Sequence, residues 1–194
     1  DNPYLRYSFN TALVLGSAVG YSLTTIKPRH PNRINSFKVN LEESGALLYF
    51  AFPLDKIGFL NKNLRKFVKI DVENVYTITH KKSSVAFRLF GGIGIPIGTK
   101  DTTLPFFKQY FGGGPNSLRG WPIRGIGPGS KALVPYEASN TLSDRTGDIR
   151  LEANVEYRHD LWQIIPNSLT LKWAVFADMG NIWNFKNTVP GGGF

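Results

Sequence analysis

The sequence predicts an all-β chain, a run of antiparallel strands from a transmembrane β-barrel with one long glycine-rich loop entering its interior. Three observations predict it. Apolar and polar residues alternate with period two along most of the chain. The alternating runs exceed the ~5–6 residues usual in soluble sheets. Connections are short at Lys27–Arg33, His80–Ser84 and His159–Ser168 but long at Ala51–Arg65 and Pro96–Thr146. Short turns at one end and long loops at the other are the habit of outer-membrane barrels. A soluble sandwich is the competing arrangement.

The first expected strand, Phe9–Leu23, sets Leu13, Leu15, Val19 and Tyr21 against small Ala, Gly and Ser. The Pro-rich Lys27–Arg33 turns the chain. A second strand over Asn35–Phe50 opposes Phe37, Val39 and Leu41 to Lys38, Asn40 and Glu42. Pro53–Lys66 is basic, amphipathic and irregular, and reads as a short loop helix. The third strand, Phe67–Thr79, opposes Val68, Ile70 and Val72 to Lys69, Asp71 and Glu73. The fourth, Val85–Ile95, sets Val85, Phe87, Leu89 and Ile93 against Ala86, Arg88 and glycine. The fifth, Gly147–His159, is the cleanest. Ile149, Leu151 and Val155 are expected to face lipid, and Arg150, Glu152 and Glu156 the lumen. The sixth, Leu169–Met179, repeats the division, with Leu171, Trp173 and Val175 outward and Lys172 and Asp178 inward. The terminal VPGGGF reads as the middle of a loop.

Residues 96–146 hold no clear strand, and loops of that length are usually functional or disordered. Within them, Phe111–Gly129 is dense in Gly112, Gly113, Gly114, Pro115, Gly125, Gly127 and Gly129, with Arg119, Trp121 and Arg124 set among them. Glycine and proline at that density exclude regular elements. Linkers of this kind carry Ser and charge rather than Trp, Phe and Ile. The segment therefore reads as a loop of fixed shape that presents an arginine.

With 194 residues the chain fits one domain or part of a larger one. Its 23 Lys and Arg against 14 Asp and Glu give a net charge of +9, but the cations are dispersed, so nucleic acid is not the expected partner. The absence of cysteine excludes disulfides and thiolate chemistry. The chain has no run of the ~20 apolar residues a membrane helix needs, which leaves barrel strands of ~9–11 residues open. No secretory leader is visible at its start.

Catalytic arrangements fare poorly. Ser117 stands in Asn-Ser-Leu-Arg-Gly, outside the Gly-x-Ser-x-Gly elbow. The glycines fail dinucleotide and Walker spacing. His30, His80 and His159 lie apart, without metal-ligand spacing, and read as turn or strand-end residues. Glu152 and Glu156 share a strand face as a glycosidase pair could, but flanking Arg150 and Arg158 read as an ion network. The expectation is no catalytic residue, no metal and no cofactor.

GGPNSLRGW and RGIGPGS, then GDIRLEANVEYR and FADMGNIW, resemble the C-terminal barrel of the outer-membrane assembly family of BamA and TamA. The resemblance covers essentially the whole chain and is most specific from Phe106 to Trp183. The family's Val-Arg-Gly-Phe/Tyr loop tetrad stands here as Leu118-Arg119-Gly120-Trp121, and its Phe-x-Asp-x-Gly as Phe176, Asp178 and Gly180. What this resemblance implies is a bacterial outer-membrane barrel of about sixteen strands, of which the six read here would be the eighth to the thirteenth. It further implies upstream POTRA domains and a non-enzymatic insertase or translocase for unfolded β-barrel or secreted proteins. Outer-membrane lipid or lipopolysaccharide and accessory assembly proteins would be further partners. On that reading residues 1–194 are one incomplete barrel domain, its final strands and POTRA domains lying outside the chain.

Arg119 is expected to latch the loop to the lumen wall by pairing with Asp178, with Glu152 as a further acceptor and Phe176 and Trp121 as shields. A secretion pore of the same superfamily, and a passive porin or surface-receptor barrel, remain alternatives.

Overall fold

The computed structural model describes residues 12–45, 47, 63–97, 103–130, 145–165 and 168–185. Six strands form one antiparallel sheet in chain order: β1 (Gly16–Lys27), β2 (His30–Ser44), β3 (Phe67–Thr79), β4 (Ser83–Pro96), β5 (Ile149–Ile165) and β6 (Leu169–Trp183). Among the described residues no helix is long and apolar enough to cross a membrane. Each strand pairs with its chain neighbour, as a barrel wall built by successive hairpins requires.

Registers carry the alternation across strands. One continuous row runs Val39–Val72–Gly91–Leu151, and another Phe87–Val155–Ala177. The adjacent polar rows run Lys38–Glu73–Phe90–Glu152–Gly180 and Ser36–Val75–Arg88–Asn154–Asp178. Because the side-chain period is two, one slip would exchange the faces, so the register is pinned by both at once. The apolar face is bare: Val19, Leu23, Leu41, Leu89, Val175 and Met179 are all exposed. A bare apolar sheet face this wide calls for a nonaqueous neighbour. Ile149, Leu151, Val155, Leu171, Trp173 and Val175 share that face, and Arg150, Glu152, Glu156, Lys172 and Asp178 the opposite one.

Several boundaries differ from expectation. The first strand extends to Lys27, and β2 begins at His30, so the chain turns on Pro28–Arg29 and Pro31 lies within β2. Pro31 precedes the first residue paired with β3, Arg33, and its missing N–H costs no bond to that strand. β2 ends at Ser44 rather than Phe50. Gly45 takes φ 70°, and the Ser44 hydroxyl donates to the Arg65 carbonyl at 2.8 Å, closing the strand end. β5 continues to Ile165 instead of ending at His159. Irregular pairing at Asp160/Trp162 and Gln163/Ile165 hid that continuation from a strict period-two reading. The expected loop helix Pro53–Lys66 lies mostly outside the described residues, as do residues 1–11 and the terminal VPGGGF. Leu64, within the described part, bridges to Leu13.

The long connection leaves β4 after Pro96 and re-enters β5 at Ile149. Of its described residues, 103–130 lie against the charged face. Two glycines of β4 make room for its root: a Cβ on Gly94 would lie 2.2 Å from the Leu104 side chain, and one on Gly92 2.7 Å from the Tyr110 ring. Leu104 and Tyr110 are buried there, with Phe90 meeting the Tyr110 ring edge-on at 6.4 Å between centroids.

Candidate functional site

The loop closes on itself before it meets the wall. Gly114 N–H donates to the Trp121 carbonyl at 2.9 Å, and Arg124 N–H to the Gly112 carbonyl at 2.9 Å. These bonds close a hairpin-like lobe whose tip carries Leu118 and Arg119. Gly120 follows Arg119 at φ 102°, a conformation open to glycine and strained for other residues. Gly113, at φ 94°, packs so closely that a Cβ would sit 2.1 Å from the Pro122 carbonyl oxygen. The glycine and proline density is thus the condition for a narrow lobe. Gly125 N–H donates to the Pro122 carbonyl at 2.9 Å. Gly129 N–H reaches the Ile182 carbonyl at 2.6 Å and Asn181 Nδ2 the Gly129 carbonyl at 2.9 Å, tying the far end of the lobe to β6.

At the tip, Arg119 grips Asp178 three times. Its backbone N–H and its Nε donate to Oδ2 at 2.9 and 2.8 Å, and its Nη2 donates to Oδ1 at 2.7 Å. A planar guanidinium can make this fork and an ammonium cannot. Nη1 donates to Glu156 Oε2. The Phe176 ring lies beneath the guanidinium, 3.9 Å from centroid to Cζ. Bonding to Asp178 holds the guanidinium above its ordinary pKa, so the arginine stays charged. The Asp178 side chain is 2% exposed and that of Arg119 24%, so the pair is shielded on its acid side and open on its basic side.

Phe176, Asp178 and Gly180 are consecutive residues on the polar face of β6. The ring stacks, the carboxylate binds, and the glycine clears space. A Cβ on Gly180 would lie 3.0 Å from Glu152 Cγ and 2.6 Å from the Leu151 carbonyl oxygen.

The second carboxylate on Arg119 is Glu156, not the expected Glu152. Glu152, 1% exposed, is held by Arg150 Nε at 2.8 Å, Arg88 Nη1 at 3.0 Å and the Ser117 hydroxyl. The reason is register. Glu156 lies directly opposite Phe176 while Glu152 lies opposite Gly180, one polar row beyond Asp178. Trp121 also differs from expectation. Its side chain is exposed and its carbonyl serves the lobe, while Phe176 does the stacking. Leu118 is buried.

Sequence reasoning missed several members of the site. Ser117 is a hub. Its hydroxyl accepts from Gly113 N–H at 3.1 Å and donates to Glu152, and its carbonyl accepts from Asn154 Nδ2 at 2.8 Å. Asn154 Nδ2 also donates to Asp178 Oδ1 at 2.9 Å. Arg88 extends the network across the wall through Glu73 at 2.6 Å and Asn154 at 2.9 Å, and Lys38 meets Glu73 at 3.7 Å. The polar parity of Arg88, Asn154 and Glu73 was visible beforehand; the bond from Asn154 to the loop, and the chain of contacts that runs from it through Arg88 to Glu73, was not.

A second anchor holds the loop root. Lys108 pairs with Glu42, Tyr110 donates to Asp71, and Lys69 Nζ donates to the Lys108 carbonyl at 3.2 Å while lying 4.1 Å from the Tyr110 ring centroid. Asp148, buried just before β5, accepts from Leu104 N–H at 2.9 Å and Phe185 N–H at 3.2 Å. Burial pushes its carboxyl above the ordinary value, and those two donors oppose the shift.

Glu152 and Glu156 are both committed to arginines, and Ser117 to a carboxylate and a backbone N–H. The arrangement positions a loop. Among the described residues no group of three or more His, Cys, Asp or Glu is placed to hold a metal ion.

A sheet of chain-order hairpins, bare and apolar on one face, charged on the other, with a loop fastened to the charged face, defines the wall of an outer-membrane-type β-barrel. The model of the Omp85 superfamily domain matches residues 30–193, and the chain belongs to the Omp85 superfamily. Members of that superfamily are associated with the bacterial outer membrane and handle β-barrel or secreted proteins, generally without enzymatic turnover.

Proposed function

We propose that this chain is the loop-bearing wall of an outer-membrane assembly factor of the BamA and TamA kind, a non-enzymatic insertase for β-barrel proteins. The observation that carries the reading is the Arg119 grip on Asp178 and Glu156 over Phe176. It ties the loop tip to β5 and β6 and so stiffens the wall through which an open strand edge elsewhere in the barrel would work. An unpaired edge exposes a row of N–H and C=O groups, a liability in most sheets and a template for an incoming strand in an insertase. On this reading the charged face is the lumen wall, the apolar face meets lipid, and POTRA domains and accessory proteins deliver the substrates.

The test uses the intact protein in cells that depend on it. Arg119→Ala should lower the folded fraction of newly made outer-membrane barrels, read by heat-modifiable gel mobility, with Arg119→Lys rescuing only part. Normal barrel assembly beside a failed export of one secreted protein would replace the insertase with a secretion pore. Normal assembly and export beside raised single-channel conductance would replace it with a passive porin.

A further inference from the structure

The end of the sheet bearing the short turns carries charge that the loop site does not use. Lys27 ends β1, Arg29 lies in the β1–β2 turn, Arg33 follows in β2, and Lys81 and Lys82 lie in the β3–β4 turn. All five are exposed, and among the described residues none of them is in an ion pair. Residues 27–33 and 80–84 contain no acid. On the β5–β6 side the one neighbouring carboxylate, Asp160, is taken by Lys172 at 3.1 Å, and its N–H donates to the Lys82 carbonyl at 2.7 Å, so the rim is continuous there. Turns two strands apart lie about 10 Å from each other, close enough for these cations to act on one anionic surface.

Two further observations say what that surface is. Arg33 lies opposite Ile78 on the apolar face, where an arginine in hydrocarbon would cost ~2–4 kcal/mol at mid-depth and little at the interface. From Val68 to Ile78 that face runs about 34 Å at ~3.4 Å per residue, or about 26 Å of depth at a ~40° strand tilt, against an apolar band of ~25 Å. Arg33 therefore falls at the edge of the band. The hydrogen-bonded row that runs from Arg33 through Ile78 and Val85 reaches an aromatic cluster on the same face at Tyr157. Tyr157 meets Trp173 edge-on at 5.5 Å, with His159 6.3 and 6.1 Å from the two rings. Amphipathic rings beside outward cations mark the headgroup layer.

We propose that this basic, aromatic-flanked rim binds the phosphodiester headgroups of anionic glycerophospholipids in the leaflet at the short-turn end. The inference rests on the sheet spanning a membrane. A soluble acidic partner would explain the charge but not a cation and a ring cluster placed at the margin of the apolar face.

The experiment reconstitutes the intact protein into phosphatidylcholine vesicles and measures the association of spin-labelled phosphatidylglycerol relative to spin-labelled phosphatidylcholine. Selectivity for the anionic lipid should be roughly five-fold or more, the effect of about one surface cation. It should fall toward one in the Arg33→Gln/Lys81→Gln/Lys82→Gln variant. In the unaltered protein, rising salt should have the same effect as the screening length shrinks from ~10 Å at 0.1 M to ~3 Å at 1 M. Heat-modifiable mobility reports folding separately. Folded protein in the vesicles with a ratio of one would overturn the headgroup assignment and leave the barrel intact. Failure to enter any vesicle would overturn both. Equal competition by soluble glycerophosphate would make the rim a free-anion site, and unchanged lipid selectivity with loss of a co-purifying acidic protein would make it a protein dock. Either outcome overturns the lipid assignment.

Discussion

Replacing Arg119 by alanine removes Nε and Nη2 from Asp178, Nη1 from Glu156 and the cation from the Phe176 ring. The backbone N–H of residue 119 and Asn154 Nδ2 can still reach Asp178, so the carboxylate is impoverished and not orphaned. Breaking a shielded ion pair by removing one partner costs ~3–5 kcal/mol. Here the arginine side is 24% exposed and two donors remain, so about 2–4 kcal/mol is the expected loss of docking free energy. That corresponds to a roughly 30- to 1,000-fold rise in the undocked-to-docked ratio of the loop. The chain has no cysteine, so one introduced thiol is the sole thiol within residues 1–194, and labelling of the intact protein without it sets the background. Leu118→Cys places that thiol at a buried position on the tip, where maleimide reacts only when the lobe lifts. In the intact protein, labelling should accelerate by one and a half to three orders of magnitude when Arg119→Ala is added. Arg119→Lys should fall between, because an ammonium keeps the charge and loses the fork. Asp178→Asn should approach the alanine result, since its NH2 would face an arginine N–H. Equal labelling with and without Arg119→Ala would refute the latch.

Gly94→Val should lift the loop root, because even a Cβ there would lie 2.2 Å from Leu104; faster proteolysis after Phe106 or Phe107 in the intact protein would register it. Asp148→Ala should lower thermal stability by about 1–3 kcal/mol, leaving the buried Leu104 N–H without its acceptor while the exposed Phe185 can turn its N–H to solvent. Asp148→Asn should recover part of that loss, and a melting curve unchanged by either substitution would contradict the assignment. On the apolar face, Asn74 Nδ2 donates to Asn35 Oδ1 at 2.9 Å. Asn35→Leu or Asn74→Leu alone should destabilise, while the double substitution should be nearly neutral, because only the single changes leave an unmet amide. A double-mutant cycle by urea unfolding in vesicles measures the coupling, and strict additivity would dismiss the pair.

The strands were legible because a sheet with different surroundings on its two faces writes its period into the sequence. Phe67–Thr79 was readable to the residue, and the faces of β5 and β6 followed from parity alone. Arg119 and Asp178 were also legible, as an arginine in a loop too rich in glycine to be a strand and an acid on the polar parity of β6. Which carboxylate takes the fourth nitrogen was not legible. Parity puts Glu152 and Glu156 on one face alike, and the β5–β6 register alone sets Glu156 beside Phe176 and leaves Glu152 to Arg88, Arg150 and Ser117. The extension of β5 past His159 was hidden for a related reason, since an irregularity changes the local period while hydrogen bonding to β6 continues. The second anchor was hidden most deeply. Gly92 and Gly94 look like weak points in a strand, and they prove to be the floor on which Tyr110 and Leu104 rest. Sequence alone determined period, parity and the chemistry of each side chain, because these are local. Tertiary structure decided which polar group met which, because that depends on distances between segments far apart in the chain.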